Sequence, residues 1–484
     1  MGYLGNSPAE SYASFERQVF TIVNSQTAYT LSHSVVNEND IRLVVNNVVQ
    51  EPGSGKAYTA SGTTLTLSAA LVNGTDEMYC VFLGRALQTV NPPNASVGTA
   101  QLASEAVTSA KITDANITSA KIAGGVLKPP HRNLIINGDM SVAQRATSVT
   151  GVGNGDNSCH TVDRLSFYEE GATSGEFTMS QDTDVPTGYG FAKSTKLDCT
   201  TADSSLAAAE VVALEYKFEG LHLQHLKKGT SNAESLTLSF WVKTNKTGTY
   251  VANFYDNDND RHTSQNYTVS SSNTWEKKTI TFAPDTSGTL TNDNTLALAM
   301  YFILGAGTSY TSGSAATAWE TFTGNADNWC GGQNVNVLDH TDNNFWITGV
   351  QLEIGTAASD FEFVPYDVNL QRCYRYYQKT MDLGTFAGTT AEAGLQWQGG
   401  TSDAGSNMSM VYNFKQTMRA SPTVTGYDRS GTSGQFNYYR SASSSTGTFN
   451  SHMRGQNSVS FYSGTGAAYT AVTIAGHVTF ESEL

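Results

Sequence analysis

Hydrophobic and polar residues alternate along this chain in short runs separated by Gly, Asn and Asp. In 236-LTLSFWVKT-244, Leu236, Leu238 and Phe240 fall two apart, the period of a strand with one buried face. Strands are likewise predicted over 164–170, 249–255, 275–283, 295–304 and 345–353, a count and spacing that suit a jelly-roll β-sandwich. Earlier in the chain, Arg17–Val23, Ala28–Leu31, Ile41–Gln50 with an Asn46–Asn47 turn, Thr63–Leu67 and Glu77–Gly84 predict a separate β unit. Later, 408–415, 422–428 and 471–480 predict a second, smaller sandwich. Helical spacing is found after Asp367, a candidate N-cap: Leu370, Cys373, Tyr374 and Tyr377 stand at i, i+3, i+4 and i+7. In a trimer three such stripes could meet on the axis, which is the preferred arrangement; in a monomer the helix would lie against a sheet. The predicted fold is all-β: an N-terminal β domain (1–92), a neck (93–130), a jelly-roll domain (131–366), a short helical connector (367–381) and a C-terminal β-sandwich (382–484).

The neck has its own period. Val97, Leu102, Val107, Ile112, Ile117, Ile122 and Leu127 are five apart. A step of five turns an α-helix by about 140° and scatters these residues around it. It also changes face at every step of a flat strand. A turn in each repeat would bring one aliphatic side chain inward each time, yet so few repeats cannot bury a ridge alone. Three copies sharing an axis would bury it, so a β-structured neck holding a homotrimer is expected. A flexible tether with accidental periodicity is the alternative.

Composition narrows the function. Only 15% of residues are charged and the net charge is −15, which argues against a nucleic-acid partner. From Asp367 onward eight bases face seven acids, so the first 366 residues carry a net −16. The cysteines Cys80, Cys159, Cys199, Cys330 and Cys373 have no CxxC spacing, which signals neither zinc nor a disulfide framework and suits free thiols in a reducing cytoplasm. The N-terminus lacks a signal-peptide pattern and no apolar run reaches membrane-spanning length.

The stretch 133-NLIINGDMSVAQRATS-148, followed by 161-TVDRLSF-167, resembles the opening of a jelly-roll module found in bacteriophage tail fibres, typically N-L-L-I-N-G-x-F-x-x-W-Q-R-G-T-S and then T-A-D-R-W. The segments 239–250, 275–289 and 345–379 agree with that family in order. Ala143 and Leu165 stand where the family usually has Trp, which alters core packing more than fold. Residues 25–53 with 79–93, and 418-MRASPTVTG-426, are similar to the virion-proximal and C-terminal parts of tail fibres. The resemblance implies a virion tail protein, folded in the host cytoplasm. Its N-terminal domain would dock on the tail or an adaptor, and host surface polysaccharide or lipopolysaccharide would be its receptor. Such jelly-rolls often hold a structural calcium near their start; Asp139 and Glu353 could serve, but the resemblance fixes no ligands.

The chain carries few other chemical motifs. Asp256, Asp258 and Asp260 alternate as in an EF-hand loop, but Arg261 replaces the required Gly and Tyr267 the closing Glu, so a solvated hairpin tip is expected. His222 and His225 lack a third ligand in the local sequence, and a surface loop or short helix accounts for them. No metal and no cofactor is predicted. Hydrolysis of polysaccharide would need two paired carboxylates, and no spacing pairs them, so no enzyme is expected. Binding remains. Sugar sites combine an exposed aromatic with amide or charged neighbours, and the C-terminal unit offers Trp397, Tyr427, Arg429, Tyr438 and Tyr439 as glycan-binding candidates. Alternation places Tyr438 and Tyr439 on opposite faces of a strand, so one of them points out. A purely structural virion adaptor is the rival, and a depolymerase the third reading.

Overall fold

The computed structural model describes residues 15–83, 131–171, 173–323, 328–402, 407–440, 443–464 and 469–484. The expected neck core, Val97 to Leu127, lies outside them. The chain divides into two compact units, Met1–Thr118 and Ser119–Leu484.

In the first unit the described strands are β1 (Arg17–Phe20), β2 (Ala28–Val35), β3 (Ile41–Val45), β4 (Val48–Val49), β5 (Tyr58–Leu67) and β6 (Met78–Phe82). They form a four-stranded sheet in the order β1-β6-β3-β4 and a ribbon of β2 with β5. Asn46 and Asn47 take left-handed backbone angles, φ 48° and 65°, at the predicted turn between β3 and β4. Leu43, Leu65 and Cys80 are fully buried in the core of this unit.

The second unit opens with the jelly-roll, made of β7 (Ser148–Gly153), β8 (Ser166–Glu170), β9 (Glu176–Asp182), β10 (Ser194–Thr201), β11 (Val211–Glu219), β12 (Leu236–Thr244), β13 (Gly248–Asp256), β14 (Arg261–Val269), β15 (Glu276–Phe282), β16 (Leu296–Ala306), a one-turn helix α1 (Thr308–Thr311), β17 (Glu320–Thr321) and β18 (Asn344–Ile354). Two six-stranded antiparallel sheets face each other, β15-β12-β18-β10-β9-β7 and β17-β14-β13-β16-β11-β8. Leu238, Phe240 and Val242 of β12 meet Phe254, Met300 and Phe302 between the sheets. The outer face of the second sheet is capped by Tyr310, Trp329 and Cys330, which lie buried on Val251, Ala299 and Ile303.

The motifs that carry the tail-fibre resemblance are architectural. Asn133 accepts the backbone N–H groups of Ile135 and Leu352, both at 3.0 Å, and so binds the opening segment to β18. A Cβ on Gly138 would sit 2.1 Å from the carbonyl oxygen of Val350, so only glycine fits that approach. Gln144 donates to Asp163 at 2.5 Å and to the carbonyl of Tyr377 at 3.1 Å. Arg145, nearly buried, reaches Asp163 at 3.3 Å, Glu481 at 3.0 Å and Glu483 at 3.2 Å.

Helix α2 (Tyr366–Tyr374) departs from expectation. Its N-cap is Pro365, and Asp367 lies in the first turn rather than capping it. Helical structure ends at Tyr374, and Tyr377 already belongs to a strand, so the connector is shorter than predicted. Cys373 is buried in the jelly-roll core and Leu370 packs against it. The stripe is covered within the chain, not held open for a trimer axis.

The C-terminal sandwich comprises β19 (Tyr377–Lys379), β20 (Gln396–Ser402), β21 (Asn407–Asn413), β22 (Thr423–Tyr427), β23 (Gln435–Arg440), β24 (Ser443–His452), β25 (Ser458–Gly464) and β26 (Tyr469–Glu481). These strands form one sheet folded over its own core. β26 is the hub, pairing with β19 and β20 along one edge and with β22 and β23 along the other. The sheet returns through β24 and β25 to β21. There Tyr412 stacks on Phe480 of β26 with centroids 4.8 Å apart.

Lys379 of β19 is sealed inside this unit, its ammonium donating to the carbonyl oxygens of Gln144 (2.8 Å), Leu383 (3.0 Å) and Thr385 (2.6 Å). Burial lowers its pKa from 10.5 to about 8. The folded state therefore releases this proton before the unfolded state does. Between pH 8 and 10.5 Lys379 should add stability as pH rises, by on the order of 3 kcal/mol in full. Urea midpoints measured across that range should climb more in the native protein than in Lys379→Met; parallel slopes would refute the assignment.

Candidate functional site

The C-terminal sandwich exposes an aromatic pair on its outer face. Along β26, Val472, Ile474 and Val478 point into the core, so Thr473, Ala475 and His477 point outward. Trp397 stands opposite Ala475 from β20, and Tyr439 stands opposite Thr473 from β23. Their rings lean together over the small side chains of β26, with centroids 5.6 Å apart and planes at 22°. Trp397 keeps 58% of its surface exposed despite this contact.

The remaining candidates separate. Tyr438 opposes Ile474 and turns inward against the core, so Tyr439 is the outward member of that pair of residues. Tyr427 opposes His477 in the next outward row and is half-buried. His477 is buried there, its ring nitrogen 3.1 Å from the carbonyl oxygen of Ala391, and burial lowers its pKa. Arg429 leaves the surface beyond Tyr427 and pairs with Glu392, both exposed. Such an exposed pair contributes about 0–1 kcal/mol and orients the guanidinium more than it stabilises the fold. Trp397 and Tyr439 thus form one platform, with Tyr427 and Arg429 at its edge.

A second aromatic face lies on the first jelly-roll sheet, and residue-by-residue reading of the sequence passed over it. Lys243, Trp346 and Lys196 form a row across β12, β18 and β10. Lys277, Trp241 and Thr348 form the next row. Tyr189, 55% exposed, packs on Trp241 with centroids 4.3 Å apart. The ammonium groups of Lys243 and Lys196 sit 4.9 and 5.2 Å from the centroid of the Trp346 ring. Trp346 donates its indole N–H to Asp182 at 3.2 Å and Trp275 donates to Asp184 at 2.9 Å. Burial raises the pKa of Asp184, but hydrogen bonds from Lys243 and Trp275 outweigh it and hold the carboxylate below its ordinary value. Gly349, at φ +62°, lies in the register shift between the Ser239–Gln351 and Trp241–Thr348 pairs; a Cβ there would come within 2.6 Å of Phe191 and 3.1 Å of Trp241. The signal for this face was present in SFWVKT: if Leu238 and Phe240 point in, Trp241 and Lys243 point out.

No protein-family description matches the chain, and no curated protein is significantly similar to it. Among solved structures, it is similar to the enzymatically active domain of bacteriophage CBA120 tailspike protein 4, at 13% identity and a TM-score of 0.23, covering 43% of this chain and 21% of that one. A CBM4 structure gives 10% identity and a TM-score of 0.23, covering 45% of this chain and 97% of that one. The family 11 carbohydrate-binding module of Lic26A-Cel5E from Clostridium thermocellum gives 12% and 0.23, covering 42% and 94%. Likenesses at these scores carry no argument, so function has to be read from the chain's own geometry.

The residues considered for metal or acid chemistry are engaged in the fold. Residues 257–260 form the expected hairpin tip, with Asn257 and Asp260 exposed, but Asp256 is fully buried: it contacts the ammonium of Lys228 and accepts the N–H groups of Asp258 (3.0 Å) and Asn259 (3.1 Å). Asp139 accepts hydrogen bonds from Ser141 (3.0 Å) and Asn369 (3.2 Å), whereas Glu353 pairs with Arg132 at 3.1 Å, so the two carboxylates serve different networks. No group of three or more potential ligands fit for a metal occurs among the described residues. His222 and His225 lie on consecutive 3-10 turns, Gly220–His222 and Gln224–Leu226.

Proposed function

We propose that this chain is a bacteriophage tail fibre that attaches the virion to its host by binding surface glycans. The observation that supports this reading is the open Trp397–Tyr439 platform, an apolar surface shaped for the CH face of a sugar ring. Rigid aromatic surfaces of this kind lose little conformational entropy when a ligand docks. The near-neutral charge from Asp367 onward would let this part approach an anionic envelope that repels the acidic remainder. In this reading the first unit joins the tail or an adaptor, and Val97 to Leu127 hold three chains together.

The protein would bind without cleaving. Asp163, raised to about 6 by burial, is clamped by Gln144 and Arg145. Asp139 and Glu215, also raised by burial, are held by Ser141 and Asn369 and by Lys217. Those carboxyls support the fold, so none is placed to act as a general acid on a bound sugar.

Two measurements bear on the proposal. A glycan array probed with the whole protein should capture surface-type saccharides, and a blank array would overturn the glycan reading. Light scattering should return three times 51.8 kDa, because an aliphatic ridge of that length needs neighbouring copies to cover it. A stable monomer at micromolar concentration would refute the trimeric neck.

A further inference from the structure

Beside α2 a cleft of about 430 Å³ adjoins another of about 200 Å³, and the two share His131, Ile136, His222 and Arg372. Both belong to the second unit, between the start of the jelly-roll, the 3-10 turn at His222 and the helix. Their combined size is that of a pocket for one or two sugar rings.

The charges around the cleft are unbalanced in a specific way. Glu219, its buried acid, is fully engaged: Arg375 grips it with two hydrogen bonds, 2.7 and 2.5 Å, and the hydroxyl of Tyr376 adds a third at 2.5 Å. That leaves Arg372, one helical turn before Arg375, with no hydrogen bond or ion pair to any described residue although it is partly buried and lines both cavities. With no partner among the described residues, the Arg372 guanidinium keeps its nitrogens open to the cleft, where they can receive an anion. Burial holds His222 below the ordinary histidine value; the Glu219 carboxylate opposes that shift, and Arg375 and Arg372 add smaller contributions in the same direction as burial. The walls differ in character. Ile136 and Val368 offer apolar surface, while His131 and Gln416 offer nitrogen donors. A bare inorganic anion would leave the apolar wall unused.

We propose that this cleft binds the carboxylate-bearing ring of an acidic sugar, with Arg372 as the anchor for the carboxylate. The planar fork of arginine matches a carboxylate with two parallel hydrogen bonds, and Ile136 and Val368 take the CH face of the ring. The proposal rests on the glycan-binding reading and gives it a ligand class: chains that carry uronic or similar sugar acids, held at a place separate from the Trp397–Tyr439 platform.

The test uses an array that pairs acidic glycans with their carboxyl-reduced counterparts, probed with whole native protein, Arg372→Gln, Arg372→Lys and Trp397→Ala. Arg372→Gln should weaken capture of acidic glycans by at least about tenfold, leave the reduced counterparts unchanged, and keep the native urea midpoint because the side chain has no partner to lose. Arg372→Lys should fall between the two. Equal capture of acidic glycans by native protein and Arg372→Gln would overturn the proposal while leaving the platform reading intact if Trp397→Ala still loses binding. A blank array with native protein would overturn both. Complete displacement of the acidic glycans by inorganic phosphate at millimolar concentration would reduce the cleft to an anion site without sugar recognition, which also contradicts the proposal.

Discussion

Arg164→Ala is expected to destabilise the second unit by about 3–5 kcal/mol, the usual consequence of removing one partner of a buried ion pair. Its side chain is only 2% exposed and contacts Glu483, and its Nη2 donates to the carbonyl of Lys217 at 2.6 Å. The guanidinium also lies 3.5 Å from the ring centroid of Tyr376. Around it, Lys217 donates to the main-chain oxygen of Leu484 at 3.0 Å, and Arg419 donates to main-chain oxygens of Asn294 (2.9 Å), Ser482 (2.6 Å) and Glu483 (2.8 Å). The last residues of the chain are therefore fixed into the jelly-roll by Arg145, Arg164 and Lys217, side chains far away in sequence. Without Arg164, the Glu483 carboxylate keeps only Arg145, and the junction between jelly-roll and C-terminal sandwich loses a buried cation. Urea unfolding followed by tyrosine and tryptophan fluorescence should show the transition of this unit move to lower denaturant and broaden or split as the two sandwiches uncouple. A shift below about 1 kcal/mol, the range of surface ion pairs, would contradict this account of the junction.

The second large effect concerns adsorption. Trp397→Ala should reduce the affinity of one platform by on the order of tenfold, corresponding to about 1.4 kcal/mol of lost stacking and apolar contact. Three linked platforms multiply that loss. If all three engage one surface, the avidity of a trimer should fall by up to about 10³. Folding should be unaffected within about 0.5 kcal/mol, because the side chain is mostly in solvent. Tyr439→Ala should give a similar loss, and the double variant should lose less than the sum, since the two rings, 5.6 Å apart, form one surface. Binding of cells or purified envelope polysaccharide, titrated over variants of equal urea midpoint, measures all three.

Much of the fold is legible in the chain because it depends on local periods. Alternation in LTLSFWVKT located β12 with its bounds intact, Leu236–Thr244. The Asn46–Asn47 pair marked a turn because asparagine tolerates the left-handed backbone found there. Long-range facts were not legible. Nothing in the spacing connects Arg145 to Glu483, which are 338 residues apart in sequence. The acidic alternation at Asp256 looked solvated because its partner, Lys228, comes from a distant turn. Helix α2 ended early because Tyr377 joins β26, a pairing that helical spacing cannot foresee.

The candidate site was legible in part for the same reason. Alternation established that Tyr438 and Tyr439 face opposite ways, but the register with Ile474 and Thr473 was needed to decide which faces out. Trp397 had no local signal beyond its exposed-looking neighbours, and its place beside Tyr439 depends on both strands sharing β26. The jelly-roll face of Trp241 and Trp346 follows from the same period of two, because residues that alternate with inward ones point out, but pairing Lys243 with Trp346 and Trp241 with Thr348 needs the strand register.

The central claim is that the Trp397–Tyr439 surface is where the ligand sits. Radical footprinting of the whole protein, with and without a saturating oligosaccharide selected on an array, addresses it directly. Oxidation of Trp397 and Tyr439 should drop severalfold on binding while exposed residues of the first unit, such as Phe15, stay unchanged. Full binding with undiminished oxidation of both rings would contradict the account.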